Sequence, residues 1–218
     1  MGRELNPKLK KYIDDKLAGH GAAQEIIDLY KGHSKPFTKQ EALDVRQLLV
    51  YVAETMVGIR EEPKNSNTGK MVSLIQDTLD DMTSTAAWCS KFTNTCIAYV
   101  EETLKIKSDV YASGSCWSTW SKTPKSMRVK RYPDVGALML MQKGTDGTYQ
   151  GTGGHVEIVV RYDHEKKEIH CIGGNTSNSA DVEPNGDGVY RTLRKDTRHK
   201  FDGVKTNKLL ILGFIKPF

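Results

Sequence analysis

The stretch "AAWCSKFTNTC", residues 86–96, decides how the rest of the chain is read. Phe92, Cys96 and Val100 follow Cys89 at i+3, i+7 and i+11, the spacing of one apolar helical face, and this predicts an amphipathic helix over 86–104. Thr83, Ser84 and Thr85, just upstream, are all residue types that cap a helix. Cys89 therefore falls in the first turn, where unpaired amides and the helix dipole favour a thiolate. Two readings stand side by side. Free cysteine is among the most buried residue types, which makes Cys89 a core residue. Yet the apolar face already has its cysteine at position 96, which leaves Cys89 for use as a nucleophile.

The four cysteines, Cys89, Cys96, Cys116 and Cys171, form no CxxC pair and no regular framework. On a helix, Cys89 and Cys96 lie roughly 10 Å apart along the axis, beyond the ~7 Å that a disulfide spans between Cα atoms. Reduced thiols are expected, with no metal and no cofactor, since the spacing gives a zinc site no support. Only Cys89 is expected to matter for chemistry, the other three being replaceable.

A chain of 218 residues, 38% hydrophobic and 27% charged, suits one packed domain and excludes global disorder. No apolar run reaches membrane-spanning length. The opening "MGRELNPKLKKYIDDKLAG" has lysines but no apolar stretch behind them, so no Sec signal is read and synthesis in the cytoplasm is expected. The formal charge is +5. Residues 122–131 hold five Lys/Arg and no acid, and residues 191–218 hold eight against Asp196 and Asp202. These stretches are either solvated faces or a means of attraction to a polyanion such as a cell-wall or outer-membrane polymer. Nucleic acid is not expected, because no aromatic interleaving and no reading motif accompanies the basic residues. A monomer is expected.

Periodicity organises the chain into helices first and strands later. Residues 6–35 read as two short helices, the first with Asn6 as cap, Pro7 inside it and a Leu9, Tyr12, Ile13, Leu17 stripe. Thr38 and Glu41 make a capping box for a third helix, with Leu48, Leu49, Val52 and Met56 on its apolar face. A turn-rich loop over 60–70 and a helix over 70–80 follow. Stretches 134–142, 155–163, 167–174, 188–194 and 208–217 read as strands between Gly/Asn/Asp turns. With no βαβ alternation, the expectation is α+β, with helices packed on an antiparallel sheet of about five strands. Residues 1–36 are read as a helical extension and 37–218 as the main domain.

Among six histidines, His155 is distinctive. "GTGGHVEIVV" places it at the first position of a β-forming run, behind a bare glycine backbone that leaves room for another element. The next strand ends in "CIGGNTSN", where Asn175 and Asn178 can accept an imidazole N–H and fix its tautomer, or simply make a turn. Helix cysteine, strand histidine and next-strand asparagine is the order used by papain-like enzymes.

Together "VGIREEPKNSNTGKMV", "AAWCSKFTNTCI", "GGHVEIVV" and "CIGGNTSN" resemble the CHAP/NlpC-type cell-wall hydrolases of bacteria and phages, papain-like cysteine amidases and peptidases, over about residues 50–180. The resemblance implies Cys89 as nucleophile, His155 as base and Asn175 as orienter. It implies acyl transfer on a peptidoglycan amide, as an N-acetylmuramoyl-L-alanine amidase or an endopeptidase. Such an enzyme would be a phage endolysin released through a holin, or an antibacterial effector delivered by a secretion system. The Cys89 N–H would hold the oxyanion, with Thr83, Ser84 and Thr85 as neighbours for a second donor.

Substrate contacts are assigned to Trp88, Trp117, Trp120, Glu157 and Asn178. Trp88 also reads as packing the helix start, and Trp117 and Trp120 as core under the sheet. Glu157 departs from the small residue common two positions after the histidine, and shares its face with His155. It either touches substrate or forms a surface ion pair. The competing functions are a non-catalytic basic module binding cell wall or nucleic acid, and an intracellular thiol protease.

Overall fold

The computed structural model describes residues 2–79, 86–130, 132–143, 154–177, 186–196 and 209–218. Among them are six α-helices: α1 (Pro7–Leu17), α2 (Gly21–Tyr30), α3 (Lys39–Thr55), α4 (Lys70–Gln76), α5 (Cys89–Leu104) and α6 (Cys116–Lys122). Six strands follow: β1 (Arg128–Val129), β2 (Leu138–Lys143), β3 (Gly154–Asp163), β4 (Glu168–Thr176), β5 (Gly188–Lys195) and β6 (Leu209–Ile215). They form one antiparallel sheet in the order β1-β6-β2-β3-β4-β5. The class is the expected α+β, but the sheet has six strands rather than five. The additional strand is a two-residue pairing of Arg128 and Val129 with Ile215 and Phe214, too short to carry a period.

Local signals produce the helices. The Asn6 side chain accepts from the Lys8 N–H at the start of α1, and Thr38 and Glu41 close both halves of a capping box on α3. Helix α5 is the centre of the helical layer. Its apolar residues Phe92, Cys96 and Val100 join Leu138, Leu140, Val156, Ile158 and Ile172 of the sheet in one core. It is not the one-sided amphipathic helix its period suggests, because Ser90, Lys91, Thr93, Asn94 and Thr95 are buried as well. These polar groups are satisfied internally: Ser90 donates to the Ser113 carbonyl at 2.7 Å, Asn94 to the Ser90 carbonyl at 2.8 Å, and Thr95 to the Lys91 carbonyl at 3.0 Å.

The N-terminal residues cover the far side of α5. Leu9, Ile13 and Leu17 belong to the same core cluster as Phe92 and Val100. Tyr12 donates to the Thr55 carbonyl at 3.1 Å, and Tyr99 donates to Asp14 at 2.7 Å. Arg3 is the deepest tie. Its guanidinium donates to Asn94 at 2.7 Å and to the Val110 carbonyl at 2.6 Å, and it faces Glu101 at 3.4 Å with both side chains buried.

Arg3→Ala leaves Glu101 buried without its cation, a loss on the order of 3 kcal/mol for a broken buried pair. Denaturant unfolding should show that shift, whereas Lys11→Ala, which removes the exposed Lys11–Asp15 pair, should leave the midpoint nearly unchanged. Equal midpoints for the two variants would contradict the anchoring role of Arg3.

Candidate active site

The start of α5 is set by packing around Trp88, its N-cap. Trp88 is fully buried and its indole N–H donates to Glu61 at 2.9 Å. A Cβ on Gly174 would lie 2.7 Å from the Trp88 ring and 2.6 Å from the Phe92 Cβ, so the second glycine of "IGGN" lets α5 close onto β4. Trp88 is therefore a fully buried core anchor. It makes no side-chain cap to the first turn of α5, which Cys89 opens.

Cys89 and His155 meet at this point. His155 and the Val156 N–H both act on the Cys89 thiolate, and the Cys89 sulfur stands 3.8 Å from the Cys116 sulfur. Its pKa is held well below the ordinary thiol value: the Cys116 thiol donates to the thiolate and the His155 charge attracts it, against the opposing effect of burial. Burial on its own would lower the His155 pKa, but the Cys89 thiolate and the Glu157 carboxylate reverse this and raise it from 6.5 to about 9. The state favoured near neutral pH is thus thiolate beside imidazolium.

Glu157 holds the other side of the ring. His155 Nε2 faces Glu157 Oε1 at 3.2 Å, which leaves Nδ1 as the nitrogen for the thiolate. The same carboxylate accepts from Arg194 at 2.7 and 3.1 Å and from Thr192 at 2.9 Å, and Arg194 also donates to Thr176 at 3.1 Å. Burial would raise the Glu157 pKa; the bonds from His155 and Arg194 outweigh it and bring it to about 2. Glu157 does form an ion pair, but a fully buried one with Arg194 rather than a surface one. Gly173 makes the space, since a Cβ there would lie 2.8 Å from Glu157 Cγ.

Among the described hydrogen bonds none joins Asn175 to His155, whose Nε2 faces Glu157 instead. Extending the β3–β4 register from Ile158↔Ile172 would set Asn175 opposite His155, but the ladder ends at that pair. The β4–β5 register shifts between Gly173 and Thr176, and Asn175 has φ 52°, in the left-handed region. With its nitrogen assigned to the side that faces acceptors, the Asn175 amide lies 3.0 Å from Asn67 Oδ1, 3.2 Å from Glu61 Oε1 and 3.0 Å from the Gly186 carbonyl, so its two N–H groups are shared among them. It therefore braces the loop that holds Trp88.

The remaining expectations divide similarly. Trp120 is core: it is buried, faces Gly213, and lies 5.4 Å from the Arg128 guanidinium. Trp117 is half-buried on α6 against the main core. Asn178, and Thr83, Ser84 and Thr85, lie outside the described residues. Among the other histidines, His20 caps α2, His33 stacks on Phe37 at 4.7 Å, His164 packs on Tyr162 at 4.5 Å, and His170 sits 2.8 Å from Arg161. His199 lies outside the described residues.

Three residues of the site were not read from the sequence in these roles: Glu157 as orienter, Arg194 as its counter-charge, and Cys116 as thiol partner. Cys116 did carry a signal, because it opens a helix behind a serine cap, in the same position that Cys89 holds on α5. Among the described residues no cluster of His, Cys, Asp or Glu is arranged to hold a metal ion, and no helix is long and apolar enough to cross a membrane. Comparison with protein-family models, with curated protein sequences and with solved structures returns no match.

The His155 value supplies a test by titration. Because it is raised above 6.5, the pairing stabilises the fold in full below about pH 6.5 and that contribution is lost as pH rises through about 9. NMR titration of the ring should place its midpoint near 9 in the native chain. In Glu157→Gln the midpoint should fall, because the carboxylate charge is gone while a hydrogen-bonding group remains. An unchanged midpoint in that variant would separate Glu157 from the histidine.

Proposed function

We propose that this chain is a cysteine-dependent hydrolase that cleaves an amide bond of peptidoglycan. The observation that carries the reading is a thiol at the first turn of α5, Cys89, whose thiolate is favoured by an imidazole that the buried Glu157–Arg194 pair holds. The order of the chemistry follows from these positions. The Cys89 thiolate attacks the amide carbonyl carbon, and the oxygen that gains charge faces the α5 amides, Cys89 N–H first. His155 gives its proton to the leaving nitrogen as the C–N bond breaks, and the acyl group remains as a thioester on Cys89. His155 then takes a proton from water, whose oxygen attacks the thioester and releases the thiolate. Glu157 keeps the ring oriented and favours its charged form throughout.

Peptidoglycan as substrate rests on the resemblance of the four motifs to CHAP/NlpC-type amidases and endopeptidases. Bacteriolysis, by an endolysin or an antibacterial effector, is the biological role that fits it. Attraction to an anionic wall polymer is a weaker part of the proposal. The described cations of the basic C-terminal stretch are already paired: Arg191 with Glu54, Arg194 with Glu157, Lys195 with Glu168, and Lys216 with Asp134.

Purified sacculi incubated with the native chain should release fragments whose masses identify the cut bond, either sugar–peptide or within the stem. Cys89→Ala should lower that release by about 10⁴-fold or more while its thermal melt stays close to native. Fragment release by folded Cys89→Ala at the native rate would end the reading. Cleavage of a denatured protein with sacculi left intact would assign the same machinery to ordinary polypeptides.

A further inference from the structure

The second thiol at the site is built in. Cys116 opens α6 behind the Ser115 cap, and Ser115 N–H is in turn held by Ser113 at 3.1 Å. The Ser113 carbonyl accepts from Ser90 at 2.7 Å and from Asn94 at 3.3 Å, both on the first turns of α5. The starts of the two cysteine-bearing helices are thus tied together one residue beyond Cys89. Opposite them, a Cβ on Gly154 would lie 2.9 Å from Cys116 Cβ, so the bare backbone before His155 is what admits Cys116. The sulfurs stand 3.8 Å apart and both residues are buried. All four cysteines are free thiols; Cys96 and Cys171 have no sulfur partner.

We propose that Cys116 is the resolving thiol of a reversible oxidation at this site, in which a hydroperoxide converts Cys89 and Cys116 into an intramolecular disulfide and so switches the nucleophile off. The effect on activity rests on the hydrolase reading above; the thiol chemistry rests on the contact alone. The Cys89 thiolate attacks one oxygen of hydrogen peroxide, the O–O bond breaks, hydroxide leaves, and Cys89 becomes a sulfenic acid. The Cys116 sulfur then attacks the Cys89 sulfur. The S–O bond breaks, and the sulfenic hydroxyl leaves as water with the Cys116 proton. The two thiols lose two electrons and the peroxide gains them.

The two sulfurs have distinct roles in this sequence. Cys89 is held as thiolate by Cys116 and His155, while its own hydrogen bond and burial keep Cys116 protonated, so the oxidant meets the first and the second waits. A bonded pair lies ~2.05 Å apart, so the gap must close by about 1.8 Å, a movement of the scale a χ1 change at one cysteine supplies. Closure also protects Cys89 from further, irreversible oxidation. A dithiol restores both thiols by exchange.

The full chain is treated with hydrogen peroxide at low molar excess, denatured, alkylated and digested with trypsin. Cys89 and Cys116 fall on separate tryptic peptides, 71–91 and 108–122, with no other cysteine on either. The expected result is loss of two of the four thiols and a disulfide joining those two peptides. Dithiothreitol should restore the thiols, and sacculus cleavage should fall and recover with the linked fraction. Cys116→Ser, checked by thermal melt, should instead accumulate sulfinic acid on 71–91 that dithiothreitol does not reverse. Sulfinic acid on 71–91 in the native chain, with the 108–122 thiol still free, would overturn the proposal, as would four thiols that all survive the peroxide. A disulfide that forms and reverses in a chain that never cleaves sacculi would uphold the thiol pair and remove the hydrolase reading.

Discussion

A buried carboxylate governs this molecule. Glu157 is fully enclosed, and an ionised group in that position costs several kcal/mol of hydration, roughly, unless its surroundings replace the water. Here they do: His155, Thr192 and two guanidinium nitrogens of Arg194 converge on its two oxygens. That convergence requires β3, β4 and β5 in one register, because Arg194 also bonds Thr176 and the carboxylate lies against Gly173. A slip of one residue would turn Glu157 to the helical side, where Val156 and Ile158 now sit in the apolar core. The polar node therefore specifies the sheet alignment as well as the state of the histidine.

How the chain could be read follows from whether a feature is local. The α1 cap and the Thr38/Glu41 box depend on neighbours within a turn, and both form as the residues suggest. Cys89 at a helix start and His155 at a strand start are local features too, and the fold brings them near enough for each to shift the other's protonation. The residue beside the imidazole depends on strand pairing, and there the structure sets Glu157 at Nε2 where the sequence suggests Asn175. Asn175 would face His155 if the ladder continued, but its left-handed backbone turns it toward Glu61 and Asn67. In β5, alternation is inverted relative to hydrophobicity: Arg194 is buried and Leu193 is exposed. No rule based on apolar pattern recovers that, since the buried charge of Glu157, 37 residues earlier, is what draws the arginine in.

Helix α5 shows the same limit on the packing side. Its period marks one apolar face correctly, yet the polar residues between are buried by α3, α4 and the N-terminal segment. Hydroxyls and a carboxamide that bond back to helix carbonyls carry no solvent requirement, so Ser, Thr and Asn on the second face are compatible with either surface or interior. Arg3 resolves the ambiguity in three dimensions, reaching Asn94 and Glu101 from 91 and 98 residues away in sequence. A positioned helix is what a nucleophile needs, and full enclosure positions it more tightly than one-sided packing.

Enclosure also sets the chemistry of the thiol. A thiolate taken out of water must recover its lost hydration from fixed groups, and Cys89 does so with an imidazolium, a backbone N–H and a neighbouring thiol. The imidazolium is favoured by the Cys89 thiolate and by Glu157, and the Glu157 carboxylate by His155 and the buried Arg194. The chain of dependence thus runs Arg194, Glu157, His155, Cys89, alternating in sign. Each inner member has an opposite charge on both sides. Cys116 stands outside this alternation. It adds a hydrogen bond without adding charge, and a thiol is a weak donor for that purpose beside a hydroxyl. A serine would serve the thiolate at least as well by hydrogen bonding alone. What sulfur adds at position 116 is the capacity to bond covalently to its neighbour, and that property distinguishes it from an ordinary supporting residue.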